Sequence, residues 1–325
     1  MKALMIREFG QAAKVLEWVK KEDLCCAEGA LRVRMLASPI NPADTNWIEG
    51  TYGTRPALPE VPGTEGVAEV MESRAAGFAV GDRVIFLDYA HGWQESRVVA
   101  AADVLRVPSD GNVLDLAMLK VNPATAWLML ERARSMDKPV VLQNAANSGV
   151  GRCVIQIARA RGWRTVNFVR NAELAAELLD LGADAVFSDD EAGLQAAKLW
   201  LQQENAEIFL ALNAVGGESA VRQLNLLADG ATQVTYGAMG RRPVTVPNQF
   251  LIFRDMRFEG FWLSRWLKEA SRDEMTAMYE ELVTMMQKGQ LRQAVDSVHA
   301  LADFAAAFAR QTAADRRGKV LFRGE

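Results

Sequence analysis

The segment that decides the fold is VVLQNAANSGVGRCVIQIARARG, residues 140–162, which combines a short apolar strand, a turn of small residues and a helix. This order is typical of a phosphate-binding loop for a dinucleotide, because the free amides of a helix N-terminus attract a pyrophosphate. When the G-x-G-x-x-G motif is aligned on Gly151, its first two glycine positions hold Ala146 and Ser148, and Gly149 is an additional glycine. The segment alone leaves two interpretations open, a cofactor loop and a β–α turn without a ligand.

The next predicted strand, RTVNFVR, indicates which cofactor the loop would bind. In an NAD-binding unit, an acidic residue about 20 positions after the loop holds the ribose 2′-hydroxyl. Here the strand ends in Arg170, and the first acidic residue after it is Glu173. An arginine at this place can pair with a 2′-phosphate, so we expect NADPH. A solvent-exposed arginine without a ligand is the alternative.

The pattern of predicted secondary structure changes near residue 123. Before it, short strand-like segments such as LRVRML, EGVAEVME and GDRVIFLD alternate with turn residues, as in a compact β-rich domain. After it, predicted strands alternate with predicted helices, which indicates a parallel sheet covered on both faces. The segment SRDEMTAMYEELVTMMQKG is predicted to be a helix with a capping box, and its methionine stripe is expected to be core. The final GKVLF is predicted to be a strand that returns to the first domain.

Composition excludes several classes of protein. A length of 325 residues suggests about two domains. A net charge of −4 does not suggest the basic surface that nucleic-acid-binding proteins have. There is no run of about 18 apolar residues and no recognisable targeting segment, so we expect no membrane span. The three cysteines, Cys25, Cys26 and Cys153, have no disulfide-framework spacing and favour a reducing compartment. From these features we expect a cytoplasmic protein.

Motifs along nearly the whole chain resemble the medium-chain dehydrogenase/reductase superfamily, and within it the 2-enoyl thioester reductases. INPAD and GVG occur across the superfamily, whereas ANSGVG, YGAM and GFWLS are more specific to the enoyl reductases. The segments that carry the resemblance, in chain order, are SPINPADTNWIEGTYG, LPEVPGTEGVAEV, VNPATAWLML, QNAANSGVGRCVIQIA, NFVR, ALNAVGGESA, VTYGAM, FEGFWLSRW and GKV.

The resemblance implies an α/β fold in which a GroES-like, β-rich catalytic domain holds an inserted Rossmann domain that binds NADPH. The implied boundaries are 1–122 and 262–325 for the catalytic domain and 123–261 for the Rossmann domain. The implied catalytic residue is Tyr52, in GTYG. The implied cofactor-binding residues are Asn122, Thr125, Asn147, Ser148, Gly149, Val150, Gly151, Arg170, Tyr236, Gly237, Ala238, Met239, Phe261, Trp262, Leu263 and Lys319.

No metal site is expected. Zinc alcohol dehydrogenases of the superfamily have GHE where this chain has GTE, so Thr64 replaces the histidine ligand. Zinc in proteins takes about four nitrogen, sulfur or oxygen ligands. With His91 and His299 as the only histidines, and with cysteines only at 25, 26 and 153, neither a catalytic nor a structural zinc site can be assembled.

The function expected from the resemblance is NADPH-dependent reduction of the α,β double bond of 2-enoyl thioesters, carried by coenzyme A or acyl carrier protein, in fatty acid metabolism. A quinone or general enone reductase is the alternative enzyme, and an NADPH-binding protein without turnover is the alternative of another class. By the same resemblance we expect a homodimer joined through Rossmann sheet edges. The β-like run PVTVPNQFLIF is its expected contact.

Overall fold

The computed structural model of the chain describes residues 1–22 and 25–324. The chain divides into two compact units. One consists of Met1–Val121 with Leu267–Glu325, and the other is the continuous segment Asn122–Trp266. The second unit is therefore an insertion into the first.

The described residues form fifteen strands and twelve α-helices. The strands are β1 (Lys2–Ile6), β2 (Leu16–Lys20), β3 (Ala30–Pro39), β4 (Val67–Ser73), β5 (Arg83–Phe86), β6 (Ser96–Ala100), β7 (Val104–Val107), β8 (Val140–Gln143), β9 (Arg164–Val169), β10 (Ala185–Ser188), β11 (Ile208–Asn213), β12 (Thr232–Thr235), β13 (Arg257–Gly260), β14 (Val295–Ala300) and β15 (Lys319–Arg323). The helices are α1 (Ala12–Val15), α2 (Pro42–Ile48), α3 (Val113–Ala117), α4 (Asn122–Leu130), α5 (Gly149–Ala160), α6 (Ala175–Leu181), α7 (Glu191–Gln203), α8 (Gly217–Leu224), α9 (Asn248–Ile252), α10 (Leu263–Glu269), α11 (Arg272–Gln287) and α12 (Phe304–Thr312). Within these described residues, none of the helices combines the length and the apolar character needed to cross a membrane.

The inserted unit is built on a six-stranded sheet in the order β10-β9-β8-β11-β12-β13, and every neighbouring pair is parallel. Apolar side chains from the strands, among them Leu142, Phe168 and Ile208, form its buried core together with residues of the covering helices. This arrangement confirms the parallel sheet predicted from the alternation of strands and helices. The carboxyl ends of all six strands lie along one edge of the sheet.

The other unit contains a seven-stranded sheet in the order β14-β15-β3-β4-β5-β7, with β6 pairing onto β3. All its pairs are antiparallel except β14 with β15. The predicted return of the last strand is confirmed, because β15 pairs with β3 through Leu321 and Pro39. A separate hairpin, β1 with β2, covers part of the core around Trp93 and Phe322.

The prediction for helix α11 is confirmed in its cap and in its buried face. Ser271 and Glu274 form the predicted capping box at its N-terminus. Five residues of the predicted stripe are buried, namely Met275, Met278, Tyr279, Leu282 and Met285. Three of the four methionines therefore pack in the core, and Met286, the sixth residue of the predicted stripe, is only half-buried.

The expectation of a β-like run at PVTVPNQFLIF is wrong. Only an isolated bridge between Gly216 and Arg242 precedes this segment, and its second half is helix α9. Pro243 and Pro247 explain the difference, because proline has no amide hydrogen to donate to a strand ladder. The strand that forms the edge of the parallel sheet on this side is β13, and β10 forms the opposite edge.

Candidate functional site

The predicted phosphate loop connects β8 to α5 in the inserted unit. The Ser148 hydroxyl caps the helix by accepting a hydrogen bond from the Gly151 amide at 3.1 Å. A Cβ atom at Gly151 would lie 2.5 Å from the Ala146 carbonyl oxygen, so only glycine allows this close turn. The amides of the first helical turn have no intrahelical acceptors. The loop thus presents the N-terminus of a twelve-residue helix at the carboxyl edge of the sheet.

Arg170 directly follows β9, next to the loop. The Ala146 amide donates to the Phe168 carbonyl at 3.1 Å, which ties the loop to the end of this strand. Arg170 is exposed. The structure therefore brings Arg170 and the predicted loop residues Asn147 to Gly151 to one edge.

The segment Tyr236–Met239 follows β12 at the same edge. Its backbone is held by the loop after β11, since the Tyr236 amide donates to Asn213 at 3.0 Å and the Met239 amide donates to Ala214 at 2.9 Å. The buried Tyr236 hydroxyl lies beside Ser148 of the phosphate loop, and burial raises the pKa of this phenol well above its usual value. Two predicted cofactor segments are thus in contact.

The remaining predicted segments of the inserted unit are Phe261–Leu263 and the start of α4. The Phe261 amide donates to the Thr235 carbonyl at 3.0 Å, so this segment also continues from the carboxyl edge of the sheet. The Phe261 ring lies under the Arg132 guanidinium at 5.5 Å. Asn122 and Thr125 are buried on α4.

Sequence reasoning missed a buried amide network that fixes this edge. Asn144, after β8, donates to Asn213 at the end of β11 at 2.9 Å and to Ser219 at 2.8 Å. Ser219 and Arg222 both donate to the Asp189 carboxylate, at 2.6 and 2.9 Å. Polar residues at the ends of otherwise apolar strands, as in VVLQN and LALN, were the available signal.

The other unit holds a second buried polar network. Asn41 is at its centre, with its side chain donating to Glu65 at 2.8 Å and its backbone amide donating to Asp44 at 2.7 Å. The Lys319 ammonium donates to the Asn41 side-chain oxygen. The Glu65 carboxylate also accepts from the Val121 amide at 2.8 Å. Lys319, predicted to bind cofactor, is nearly buried here among these partners.

Burial dominates the electrostatics of this network. It raises the pKa of Asp44 and of Glu65, and the Lys319 charge opposes both shifts. It also lowers the pKa of Lys120 to about 8, against the opposing charges of Asp88 and Glu65. Two carboxylates and two ammonium groups thus share a region with little water.

The residues at the position of the superfamily's zinc do not suit a metal ion. Thr64 stands where the histidine ligand would be, and both its hydroxyl and its amide donate to Asp44. Asn41 and Glu65 are hydrogen-bonded to each other. Among the residues that the structure describes, no group of three or more His, Cys, Asp and Glu side chains could hold a metal ion.

Tyr52 lies in the turn that follows α2 in the same unit. Its backbone amide donates to the Asn46 carbonyl at 3.1 Å, and its half-buried ring packs against the core cluster around Trp93. The helix before it is fixed by the capping box between Asn41 and Asp44. Tyr52 is therefore anchored by the same network that holds Lys319.

Two family models match the chain. The alcohol dehydrogenase GroES-like domain matches residues 27–109, and the zinc-binding dehydrogenase model matches residues 149–284. The GroES-like and Rossmann-type architecture is thereby confirmed. The side chains around Asn41 and Thr64 are hydrogen-bonded to protein groups and do not form a zinc ligand set of the kind that gives this family its name.

Relatives and solved structures agree with this assignment. The human mitochondrial enoyl-[acyl-carrier-protein] reductase is 41% identical over 94% of this chain and 84% of its own length. The complex of Etr1p with NADP and crotonyl-CoA is 25% identical, with a TM-score of 0.88 over 99% of both chains; Etr1p comes from Candida tropicalis. A Bacillus thuringiensis protein provisionally named NADPH:quinone reductase is 28% identical, with a TM-score of 0.91 over 100% of this chain and 99% of its own.

The expectation of a cytoplasmic protein is contradicted, because curated relatives at about 40% identity from human, cattle and rat are named mitochondrial. These names point to mitochondria. The error has a physical reason. Reduced cysteines and a mild negative charge suit any reducing compartment, so they do not distinguish the cytoplasm from the mitochondrial matrix.

The two family models match segments of both units, and the human relative matches 94% of the chain. Identity above 30% over most of the chain is more than a shared fold requires. The chain therefore belongs to the medium-chain dehydrogenase/reductase superfamily and, within it, to the enoyl-[acyl-carrier-protein] reductase family.

Proposed function

We propose that the protein is an NADPH-dependent 2-enoyl thioester reductase. The observation that supports this most is the family membership together with the Etr1p complex, whose name includes both NADP and crotonyl-CoA. The quinone alternative is less well supported, since the relatives at 37–41% identity are enoyl reductases. The expected thioester is one carried by coenzyme A or acyl carrier protein.

The inserted unit suits NADPH in two respects. The N-terminus of α5, turned tightly at Gly151, offers backbone amides and the positive end of a helix dipole to a pyrophosphate. Arg170 offers an exposed guanidinium beside the loop, where an adenosine 2′-phosphate would lie. The segments at Tyr236–Met239 and Phe261–Leu263 complete the proposed cofactor set with Asn122, Thr125 and Lys319.

The reaction requires placement and charge stabilisation from the protein. NADPH, when bound, supplies the hydride that adds to the β-carbon of the conjugated double bond. Negative charge then collects on the thioester oxygen, and the α-carbon needs a proton. Tyr52 is the proposed donor, because an uncharged phenol can hydrogen-bond the developing oxyanion or pass its proton. No step requires a metal.

We also propose a homodimer formed through the sheet edge at β13. Three consecutive exposed apolar residues precede this strand: Leu251, Ile252 and Phe253 are 48%, 67% and 79% exposed. A second copy would cover them and the strand edge together, which removes an aggregation hazard. The domain boundaries we propose are those expected from the family, with the catalytic domain at 1–122 and 262–325 and the cofactor domain at 123–261.

The test of the proposed function is NADPH oxidation with a panel of substrates. Crotonyl-CoA and longer trans-2-enoyl thioesters should be reduced, whereas a benzoquinone should be a poor substrate by at least about tenfold in kcat/KM. Saturated acyl-CoA is the matched control, since it has the carrier without the double bond. Turnover of the quinone but not of any enoyl thioester would reject the proposal, as would NADPH binding without turnover of either.

A further inference from the structure

A second phenol, Tyr89, lies near Tyr52 and belongs to none of the predicted sets. It is on the segment between β5 and β6. Its ring stacks on Trp47 with a centroid distance of 5.0 Å and an interplanar angle of 17°. The His91 ring meets it edge-on at 4.9 Å. Because Trp47 is part of α2, the helix that leads into the Tyr52 turn, the two phenols are held by one element.

The hydroxyl of Tyr89 is in an unusual state. It is buried and has no hydrogen bond of regular geometry to any residue that the structure describes. The polar groups beside it are the Thr64 hydroxyl and the Gly63 backbone, and Thr64 already donates its proton to Asp44. A buried hydroxyl without a good partner costs stability, and such groups are concentrated where a protein uses them.

Tyr52 is the nearby polar group to which the Tyr89 hydroxyl could donate a hydrogen bond. Both rings pack against the same buried cluster, and Tyr52 is the last of the neighbours that raise the pKa of Tyr89. We propose that Tyr89 is a positioning residue whose hydroxyl donates a hydrogen bond to the Tyr52 oxygen when Tyr52 gives its proton to the substrate. This inference rests on the proposed function and on the proposed role of Tyr52.

The chemistry balances without another reactant. The O–H bond of Tyr52 breaks, its proton forms the new C–H bond at the α-carbon, and the electron pair stays on the Tyr52 oxygen. Tyr89 keeps its own proton and only hydrogen-bonds the phenolate that results. Tyr52 regains a proton from water before the next turnover. A hydrogen bond to the charged form favours that form, so Tyr89 makes Tyr52 the stronger acid.

The surroundings of Tyr89 keep it in the donating form. Burial raises the pKa of Tyr89 first, and the Asp44 carboxylate raises it further. His91 is a titratable neighbour as well. The Arg97 guanidinium donates to the Tyr89 carbonyl at 3.1 Å and lies 3.7 Å from the Asp88 carboxylate. Burial and the Asp44 carboxylate together keep Tyr89 a neutral donor at neutral pH.

A double-mutant cycle with Tyr52→Phe and Tyr89→Phe tests this inference. Y89F should lower kcat for crotonyl-CoA about tenfold, the value of one hydrogen bond, and leave KM and NADPH affinity unchanged. The alkaline limb of the kcat profile should move up by about one pH unit, since Tyr52 becomes a weaker acid. In the Y52F background, Y89F should change the rate less than about twofold.

Tyr279→Phe is the matched control, because this phenol is also buried but donates to the Lys120 carbonyl at 3.2 Å. It should leave the alkaline limb in place. An equal loss from Y89F in both backgrounds, or an unmoved limb, overturns the inference.

A titration of the tyrosine ring carbons by NMR gives a second measurement that needs no turnover. Y89F should raise the pKa of Tyr52, and an unchanged value contradicts the inference. A wild-type protein that reduces no enoyl thioester rejects the proposed function instead.

Discussion

The Ala146 amide donates to the Phe168 carbonyl at 3.1 Å, so the predicted phosphate loop is fastened to the strand that ends before Arg170. The predicted pyrophosphate site and the predicted 2′-phosphate site are therefore joined by one backbone hydrogen bond. Cofactor preference should then depend on the charge of a single exposed side chain at the end of β9.

Arg170→Glu should weaken NADPH binding far more than NADH binding, because a repulsive carboxylate replaces the partner of the 2′-phosphate. A charge-assisted hydrogen bond contributes about 1.5–3 kcal/mol, which is roughly tenfold or more in affinity. Fluorescence titration of both cofactors measures the effect. Arg159→Glu, on the same unit at the end of α5, is a suitable control. Equal losses for both cofactors would show that Arg170 does not contact the phosphate.

Tyr52→Phe removes one hydroxyl and keeps the ring that packs on the core. Turnover of crotonyl-CoA should fall by roughly 10²–10³-fold, the range for losing an oxyanion donor or general acid. NADPH binding should survive, since the proposed contacts at Asn147–Gly151 and Arg170 are unchanged. Near-wild-type turnover would mean that Tyr52 is only a loop residue. Joint loss of binding and turnover, with a lower Tm, would mean that it is structural.

The purified protein should contain no stoichiometric zinc, and a chelator should leave its activity intact. The reason is that Thr64, Asn41 and Glu65 are engaged with neighbouring protein groups at the position where the superfamily's zinc would lie. Metal analysis by mass spectrometry checks this directly. One zinc per chain, together with activity lost to a chelator and restored by zinc, would contradict the expectation.

Light scattering should give a mass near twice that of the 35.7 kDa chain. Phe253→Glu, at the exposed apolar run before β13, should shift the protein toward monomer, because it places a charge in the proposed contact. Val80→Glu, an exposed apolar residue of the other unit, is the control. A wild-type protein that is monomeric in dilute solution would refute the proposed assembly.

Asp296 should control the acid side of the stability profile. The Arg310 guanidinium donates to both its oxygens at 2.6 and 2.7 Å, and these bonds hold the pKa of Asp296 well below its usual range. Because its pKa is lower in the folded protein than in the unfolded chain, the Asp296 carboxylate stabilises the folded state above about pH 4. This contribution is lost as the pH falls further. Asp296→Asn should therefore lower the free energy of unfolding more at pH 7 than at pH 3, where part of the contribution has already been lost.

Urea unfolding at both pH values measures this difference. Asp315→Asn is the matched control, because this carboxylate also meets Arg310, at 2.7 Å, but is 82% exposed. It should change little at either pH. An effect of Asp296→Asn that is the same at pH 3 and pH 7 would show that the loss is not electrostatic.

The fold was predictable where a pattern is local. Alternation of apolar strands and amphipathic helices was enough for the parallel sheet, and the capping box at Ser271 located α11. The hairpin β1 with β2 was not predicted, because nothing in either segment states that the two pair. The error at PVTVPNQFLIF came from weighing β-branched residues above the two prolines, whose missing amide hydrogens prevent a ladder.

The candidate site was predictable only in part for a related reason. The loop and Arg170 are separated by one strand, so their neighbourhood follows from a βαβ unit. The hydrogen bond between Lys319 and Asn41 joins residues 278 positions apart, and the Asn144–Asn213 bond spans 69. Such pairs depend on sheet order, which the sequence pattern does not state. The packing of Tyr89 on Trp47 is of the same kind.

The place of β15 between β14 and β3 has a consequence for the order of events during synthesis. Strand β3 leaves the ribosome well before its partner β15, and until β15 emerges that edge of β3 is open. The inserted segment ends at Trp266 and can complete its own core before translation finishes. In a nascent chain stalled short of Lys319, the inserted unit should therefore be folded. The other unit should still lack β15 and should depend on chaperones.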